Sequence, residues 1–162
     1  MPVLLVIDDD EGVRYSFGQA FEGDGVQVLM AATGAEGLQV AREQAPDVIV
    51  LDLQLPDCSG LEVFRAIHEL DPKKPVIFIT AHGTSETAIE AMKSGAFEYL
   101  IKPVDLARLS QVINRALEAV RLMATPAVLP TEDTGDRIIG RSPVMQEMCK
   151  LIGRVAPTDV NV

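Results

Sequence analysis

Four short apolar runs in this chain each end in a polar residue able to do chemistry. Residues 3–7 lead into Asp8, Asp9 and Asp10, and residues 48–51 lead into Asp52. Residues 76–79 lead into Thr80, and residues 99–101 into Lys102 and then Pro103. In an open α/β sheet, ligands bind outside the carboxyl ends of the strands. If these runs are parallel strands, carboxylates, a hydroxyl and an ammonium meet in one crevice. Crowded carboxylates stay ionised together only when a cation sits among them. An oxygen-lined pocket with room for water and phosphate suits Mg2+. Asp9 and Asp52 are expected to ligate it directly and Asp8 through water, with the backbone carbonyl of Gln54 completing the set. One carboxylate can then attack phosphorus and form an acyl phosphate. Such transfer needs positioning and charge neutralisation above all, for which Lys102 supplies a cation and Thr80 a hydroxyl donor.

The elements that must position these groups alternate between strand and helix over residues 1–123. Strands are expected at 3–7, 26–31, 47–51, 76–80 and 97–101, and helices at 11–22, 35–44, 61–70, 83–93 and 105–123. Asp10 is expected to cap the first helix and Thr33 the second, whose start Glu36 supports. Val13, Phe17, Ala20 and Phe21 form the apolar side of the first helix. Consecutive parallel strands need helical crossovers. Right-handed crossovers give a doubly wound five-stranded parallel sheet in the order 2-1-3-4-5, which brings the ends of strands one and three together. Asp57 and Asp71 read as turn formers, and His68 and His82 as surface residues.

The last helix carries a second pattern. Leu106, Leu109, Ile113, Ala116, Val120 and Met123 recur at 3-4 spacing, which is a heptad seam rather than a broad surface stripe. Its first half is expected to dock on the sheet. Its second half runs past any sheet it could cover, which predicts a homodimer contact. Residues 124–136, with Pro126, Pro130, Thr131, Thr134 and Gly135, read as a linker. In residues 137–162, Ser142 and Pro143 start a helix with Val144, Met148, Leu151 and Val155 on its apolar face. So short a segment cannot bury that face alone, and it reads as the truncated front of a second domain.

Composition narrows the classes. The chain has 162 residues, 48% hydrophobic but only 4% aromatic, so its core must be aliphatic, as a sheet covered on both faces requires. A net charge of -10 disfavours direct contact with nucleic acid. Cys58 and Cys149 form no CxxC or Cys/His pattern, which argues against a zinc site or disulfide framework. Met1-Pro2 leads straight into the first strand with no signal peptide, and no apolar run reaches membrane length, so a cytoplasmic location is expected.

Taken in order, Ile7-Asp8-Asp9-Asp10, Asp52-Leu-Gln-Leu-Pro56 with Gly60, Thr80-Ala81, Gly95-Ala96 and Lys102-Pro103 resemble the receiver domain of two-component response regulators, over residues 1 to about 120. The resemblance implies the flavodoxin-like receiver fold. It makes Asp52 the phosphoacceptor, Asp8 and Asp9 the acidic pair, Thr80 the switch hydroxyl, Tyr99 the switch aromatic and Lys102 the conserved lysine, with a cis Lys102-Pro103 peptide. Leu55 and Cys58 depart slightly from the family's usual residues. The tail, with Ile139-Gly140-Arg-Ser142, Met145, residues 152–156 and Thr158-Asp159-Val-Asn-Val162, looks like the start of the AAA+ ATPase domain of NtrC-type, sigma-54-dependent activators. No GxxxxGK followed by Ser or Thr occurs, so ATP hydrolysis is not expected of this chain.

The resemblance implies a switch that takes a phosphoryl group from a sensor histidine kinase, with sigma-54 RNA polymerase and DNA reached only through domains outside this chain. Three rivals have sequence-level answers. An aspartyl-nucleophile phosphatase in the haloacid-dehalogenase manner needs a second Asp two residues after the nucleophile, where Gln54 stands. A stand-alone receiver acting by contact would not need the linker and tail. An FMN binder would need a phosphate-cradling loop after the first strand, where acids stand instead.

Overall fold

The computed structural model describes residues 1–124 apart from His82. The linker beyond Ala124, the AAA+-like segment over 137–162 and the surface reading of His82 lie outside the described residues. Five strands, β1 (Val3–Ile7), β2 (Gln27–Ala31), β3 (Val48–Leu51), β4 (Val76–Thr80) and β5 (Glu98–Ile101), form one sheet in the order β2-β1-β3-β4-β5. Every pairing is parallel. The helices are α1 (Glu11–Phe21), α2 (Gly34–Gln44), α3 (Gly60–Leu70), α4 (Ser85–Lys93) and α5 (Leu106–Ala124). This is the doubly wound arrangement the strand and helix alternation requires.

The sheet separates two apolar layers. Leu4, Val6, Val50, Ile77 and Ile79 pack with Phe17 and Phe21 of α1 and Leu109, Val112, Ile113 and Ala116 of α5. On the other face Leu5, Ile7, Leu51 and Phe78 pack with Val63, Phe64 and Ile67 of α3 and Ala91 of α4. Val13 and Ala20 complete the apolar side expected for α1. The heptad seam of α5 is therefore divided. Leu109, Ile113 and Ala116 are buried in the chain's own core and are not free to meet a second copy. They are joined there by Val112, which the 3-4 count leaves out, because the stripe facing a flat sheet is broader than a coiled-coil seam. Leu106 and Met123 are 55% and 65% exposed, and Val120 is half-buried.

Helix starts follow their caps. Asp10 accepts from the amides of Gly12 and Val13 at the head of α1. α3 begins at Gly60, one residue earlier than its pattern predicts. Ser59 caps it, and the Glu62 carboxylate returns to the Ser59 amide at 3.0 Å. α1 gives way to a 3-10 turn over Glu22–Asp24, then to Gly25, whose φ of 74° suits a residue without a Cβ.

Candidate phosphoacceptor site

Strand register builds the site. Ile7 pairs with Leu51 and Leu51 with Phe78, so Asp8 and Asp52 each stand one residue past the same row. The Asp52 amide donates to the Ile7 carbonyl at 2.9 Å, which keeps the two carboxylates adjacent. Thr80 pairs with Ile101, and the Lys102 amide donates to the Thr80 carbonyl at 2.8 Å. The Lys102-Pro103 peptide is cis. Side chains alternate between the faces of a strand, so Thr80 shares the face of Phe78, whose register partner is Tyr99.

Asp8 and Asp52 are held in the same manner. Lys102 Nζ donates to Asp8 Oδ2 at 2.7 Å and to Asp52 Oδ2 at 2.8 Å. The other oxygen of each carboxylate accepts from the amide two residues on: Asp10 to Asp8 Oδ1 at 3.0 Å, and Gln54 to Asp52 Oδ1 at 3.1 Å. Asp8, Asp52 and Thr80 are 2%, 7% and 1% exposed, whereas Asp9 lies open to solvent. One oxygen from each of Asp8, Asp9 and Asp52 falls within 4.8 Å of the others. Burial pushes the Asp8 carboxyl above its ordinary value, against the pull of Lys102 and the Asp10 amide. Burial also works to lower Lys102, but its hydrogen bonds to Asp52 and Asp8 prevail and hold the ammonium above its ordinary value.

Three carboxylates around one ammonium leave two negative charges unbalanced in a partly desolvated pocket. All the donors are hard oxygens, with one ligand open to water. That donor set fits a divalent cation of the Mg2+ kind.

Such an arrangement can support phosphoryl chemistry on a strand-end carboxylate. The model of the response regulator receiver domain matches residues 4–114. The chain belongs to that family. It is 36% identical over 159 residues to the transcriptional regulatory protein GlrR of Escherichia coli K12, a match spanning 98% of this chain and 34% of that one. It is 31% identical over 160 residues to the DNA-binding transcriptional regulator NtrC of the same organism, spanning 99% of this chain and 34% of NtrC. Among solved structures, the beryllofluoride-activated NtrC4 receiver domain dimer superposes with a TM-score of 0.70 at 37% identity, covering 74% of this chain and 99% of that one. This chain thus spans about a third of the length of the curated relatives it matches.

Within this receiver the aromatic on β5 is placed beside the site. The Tyr99 ring lies 6.3 Å from that of Phe78, and its hydroxyl is 3.2 Å from Thr87 Oγ1 at the head of α4. Gly83 leaves the space that hydroxyl uses, since a Cβ there would collide with it. Glycine at 60 has a similar reason. A Cβ at that position would strike the backbone carbonyl oxygen of Asp52, so α3 starts in direct contact with the Asp52 peptide.

Sequence reasoning missed two contacts and misassigned a third. Arg14 of α1 reaches back to donate to the Asp8 carbonyl at 2.6 Å. Asp47 accepts from the Val3 amide at 2.7 Å, tying the start of β1 to its neighbour. Asp57 is more than a turn former: its carboxylate takes the amides of Gly34 and Ala35, at 2.8 and 2.9 Å, and caps α2 from another loop. Those two bonds hold its carboxyl below the ordinary value. Asp71 is a turn former as expected, accepting from the Lys73 amide at 3.0 Å. His68 is half-buried, its ring 4.3 Å from that of Phe64, and is not the simple surface residue its sequence position implies. Among the described residues, no helix is long and apolar enough to cross a membrane.

Proposed function

We propose that this receiver is a phosphorylation switch of a two-component system, with Asp52 as the phosphoacceptor and a sensor histidine kinase as donor. The observation carrying this reading is the double hold on Asp52, by Lys102 on one oxygen and by the Gln54 amide on the other. A carboxylate so held is oriented and charge-balanced for attack. An Asp52 oxygen attacks phosphorus in line, the bond from phosphorus to the donor imidazole nitrogen breaks, and the imidazole leaves with the electron pair. Asp9 and Asp52 would hold Mg2+ directly, Asp8 through water, and Gln54 through its backbone carbonyl. The ion would balance charge on the transferring phosphoryl oxygens. Lys102 then turns from its carboxylate partners toward the phosphoryl group, and Thr80 donates its hydroxyl to it.

Movement of Thr80 changes the surface on which Tyr99 rests, because both lie on one face of the sheet. Tyr99 leaves Thr87 and follows it inward, remodelling the face formed by α4, β5 and α5. The reading is of a switch rather than an enzyme: Gln54 stands where a phosphatase would carry its acid/base, so turnover of the acyl phosphate is slow. Phosphorylation of the 162-residue chain by acetyl phosphate with Mg2+ tests this. One phosphoryl group should appear on the wild-type chain and none on Asp52→Asn. Undiminished labelling of that variant refutes the assignment.

The likeness to GlrR and NtrC, named as regulators of transcription, supports a role upstream of a sigma-54-dependent ATPase domain in the cytoplasm. DNA and polymerase contacts would belong to other domains, in keeping with the acidity of this chain. We place the homodimer contact on the last turns of α5, where Met123 and Leu122 stand 65% and 69% exposed. The NtrC4 receiver was solved as a dimer, which supports pairing in this family. Met123→Glu should raise the dimer dissociation constant at least about tenfold, or ~1.4 kcal/mol, in sedimentation equilibrium. An unchanged mass distribution would remove α5 from the interface.

A further inference from the structure

The first three amides of helix α2, on Gly34, Ala35 and Glu36, lie too near its start to find a carbonyl within the helix. Thr33 Oγ1 takes the Glu36 amide at 3.1 Å, and regular helical bonding begins with the Gly37 amide on the Thr33 carbonyl at 2.9 Å. The remaining two, on Gly34 and Ala35, go to the two oxygens of Asp57, which lies in the loop that follows Asp52. Loop and helix also interlock sterically. Gly34 is buried, and a Cβ on it would collide with Cys58 Sγ and come within 2.7 Å of Val63 Cγ2. The base of the loop is closed by the Gly60 amide on the Leu53 carbonyl at 2.8 Å. Its tip depends on Asp57 and on the packing of half-buried Leu55 and Cys58. The same helix reaches the other half of the site: Gly37 packs so closely on Ile7, the residue before Asp8, that a Cβ there would strike its side chain. α2 therefore touches both the strand that delivers the acidic pair and the loop that follows the phosphoacceptor.

We propose that Asp57 is a positioning residue for the phosphoacceptor site, clamping the 53–59 loop to α2 so that the backbone at Asp52 and Gln54 keeps the geometry the cation requires. The proposal rests on the Asp52 reading above. Outer contacts that orient metal ligands typically influence affinity 10- to 100-fold. Asp57→Ala should raise the Mg2+ dissociation constant of the unphosphorylated chain about tenfold in calorimetry. It should also speed hydrogen exchange of the amides over residues 53–59. Thr33→Ala is the control, since it removes a cap from the same helix without freeing the loop. It should leave both readouts near wild type. Asp57→Asn keeps one carbonyl oxygen as acceptor and should fall between wild type and Asp57→Ala, which preserves the test if the alanine variant does not fold.

Equal effects of Asp57→Ala and Thr33→Ala would mean that Asp57 only stabilises a helix end, and would overturn the proposal. So would normal Mg2+ binding in both Asp57 variants. Acetyl phosphate separates this failure from that of the parent reading. The Asp52 carboxylate displaces acetate from phosphorus, so a wild-type chain that binds Mg2+ but is never labelled refutes the phosphoacceptor assignment and this proposal with it. Normal wild-type labelling with unaltered Asp57 variants refutes only the clamp.

Discussion

Lys102→Met lowers the stability of the metal-free chain and makes what remains depend steeply on pH and Mg2+. Among the described residues, Lys102 is the cation hydrogen-bonded to the carboxylates of Asp8 and Asp52, beside which Asp9 also stands. Breaking a fully buried ion pair costs about 3–5 kcal/mol, because the abandoned charge stays desolvated. Here the Lys102 side chain is 20% exposed and Asp9 faces water, so a loss of about 1–3 kcal/mol is expected. In the wild type, Lys102 has a folded pKa raised above 10.5. Its contribution is full below that value and is lost as pH rises through the folded one.

In the variant the sign turns on Asp8. Burial already raises its carboxyl above the ordinary value of 3.8, and the pull of Lys102 is gone. Between the unfolded and folded values the folded state then binds more protons, so stability falls as pH rises through that window. Urea midpoints should show a smaller deficit at about pH 5 than at about pH 8, with Mg2+ restoring more stability to the variant than it adds to the wild type. Phosphorylation should slow by about 10²-fold or more, the scale of losing one preorganised charge partner. An equal deficit at both pH values, untouched by Mg2+, would mean that carboxylate crowding is not the cause.

Gly60→Ala uncouples Asp52 from its scaffold. On helix propensity alone, alanine at the first position of α3 gains up to about 1 kcal/mol. Sterics oppose this, because the new methyl meets the Asp52 carbonyl oxygen and lies 2.8 Å from Leu53 Cα. Both obstacles are backbone, which cannot rotate aside. Overpacking of this sort costs about 1–3 kcal/mol, so a net loss is expected in denaturant titration. The rate of Asp52 labelling should fall further than stability does, because the strained peptide is that of Asp52 itself. Gly23→Ala is the comparison, since nothing lies within 4 Å of its added Cβ. Labelling at the wild-type rate in a destabilised Gly60→Ala would show that the loop relaxes without moving Asp52.

What could be read from the residues was whatever topology forces. Parallel strands deliver their carboxyl ends to one edge, so Asp8, Asp52, Thr80 and Lys102 could be grouped before any coordinates. Asp57 resisted that reading because capping is ordinarily local, and here the carboxylate and the amides lie 23 and 22 residues apart. Arg14 resisted it because the acceptor is a backbone carbonyl, which leaves no mark in sequence. Along α5, the 3-4 count showed an apolar seam but not how broad the buried stripe is. Val112 therefore went uncounted although it is buried beside Leu109, while Met123, past the sheet, is exposed as its position in the second half of the helix implied. The start of α3 was hidden by Gly60, which reads as a loop residue until its contact with Asp52 is seen.

The ion pair between Lys102 and Asp8 joins residues 94 apart, and its companion to Asp52 joins residues 50 apart. No shorter stretch of the chain contains the site, and β1 reaches β5 only once β3 and β4 have paired between them. Non-local pairing of this kind is late and slow in folding. A nascent, clipped or heat-damaged chain therefore holds Asp8, Asp52 and Lys102 apart. On the function proposed above, responsiveness to signal would be restricted to molecules that have finished folding, a form of quality control that needs no separate device.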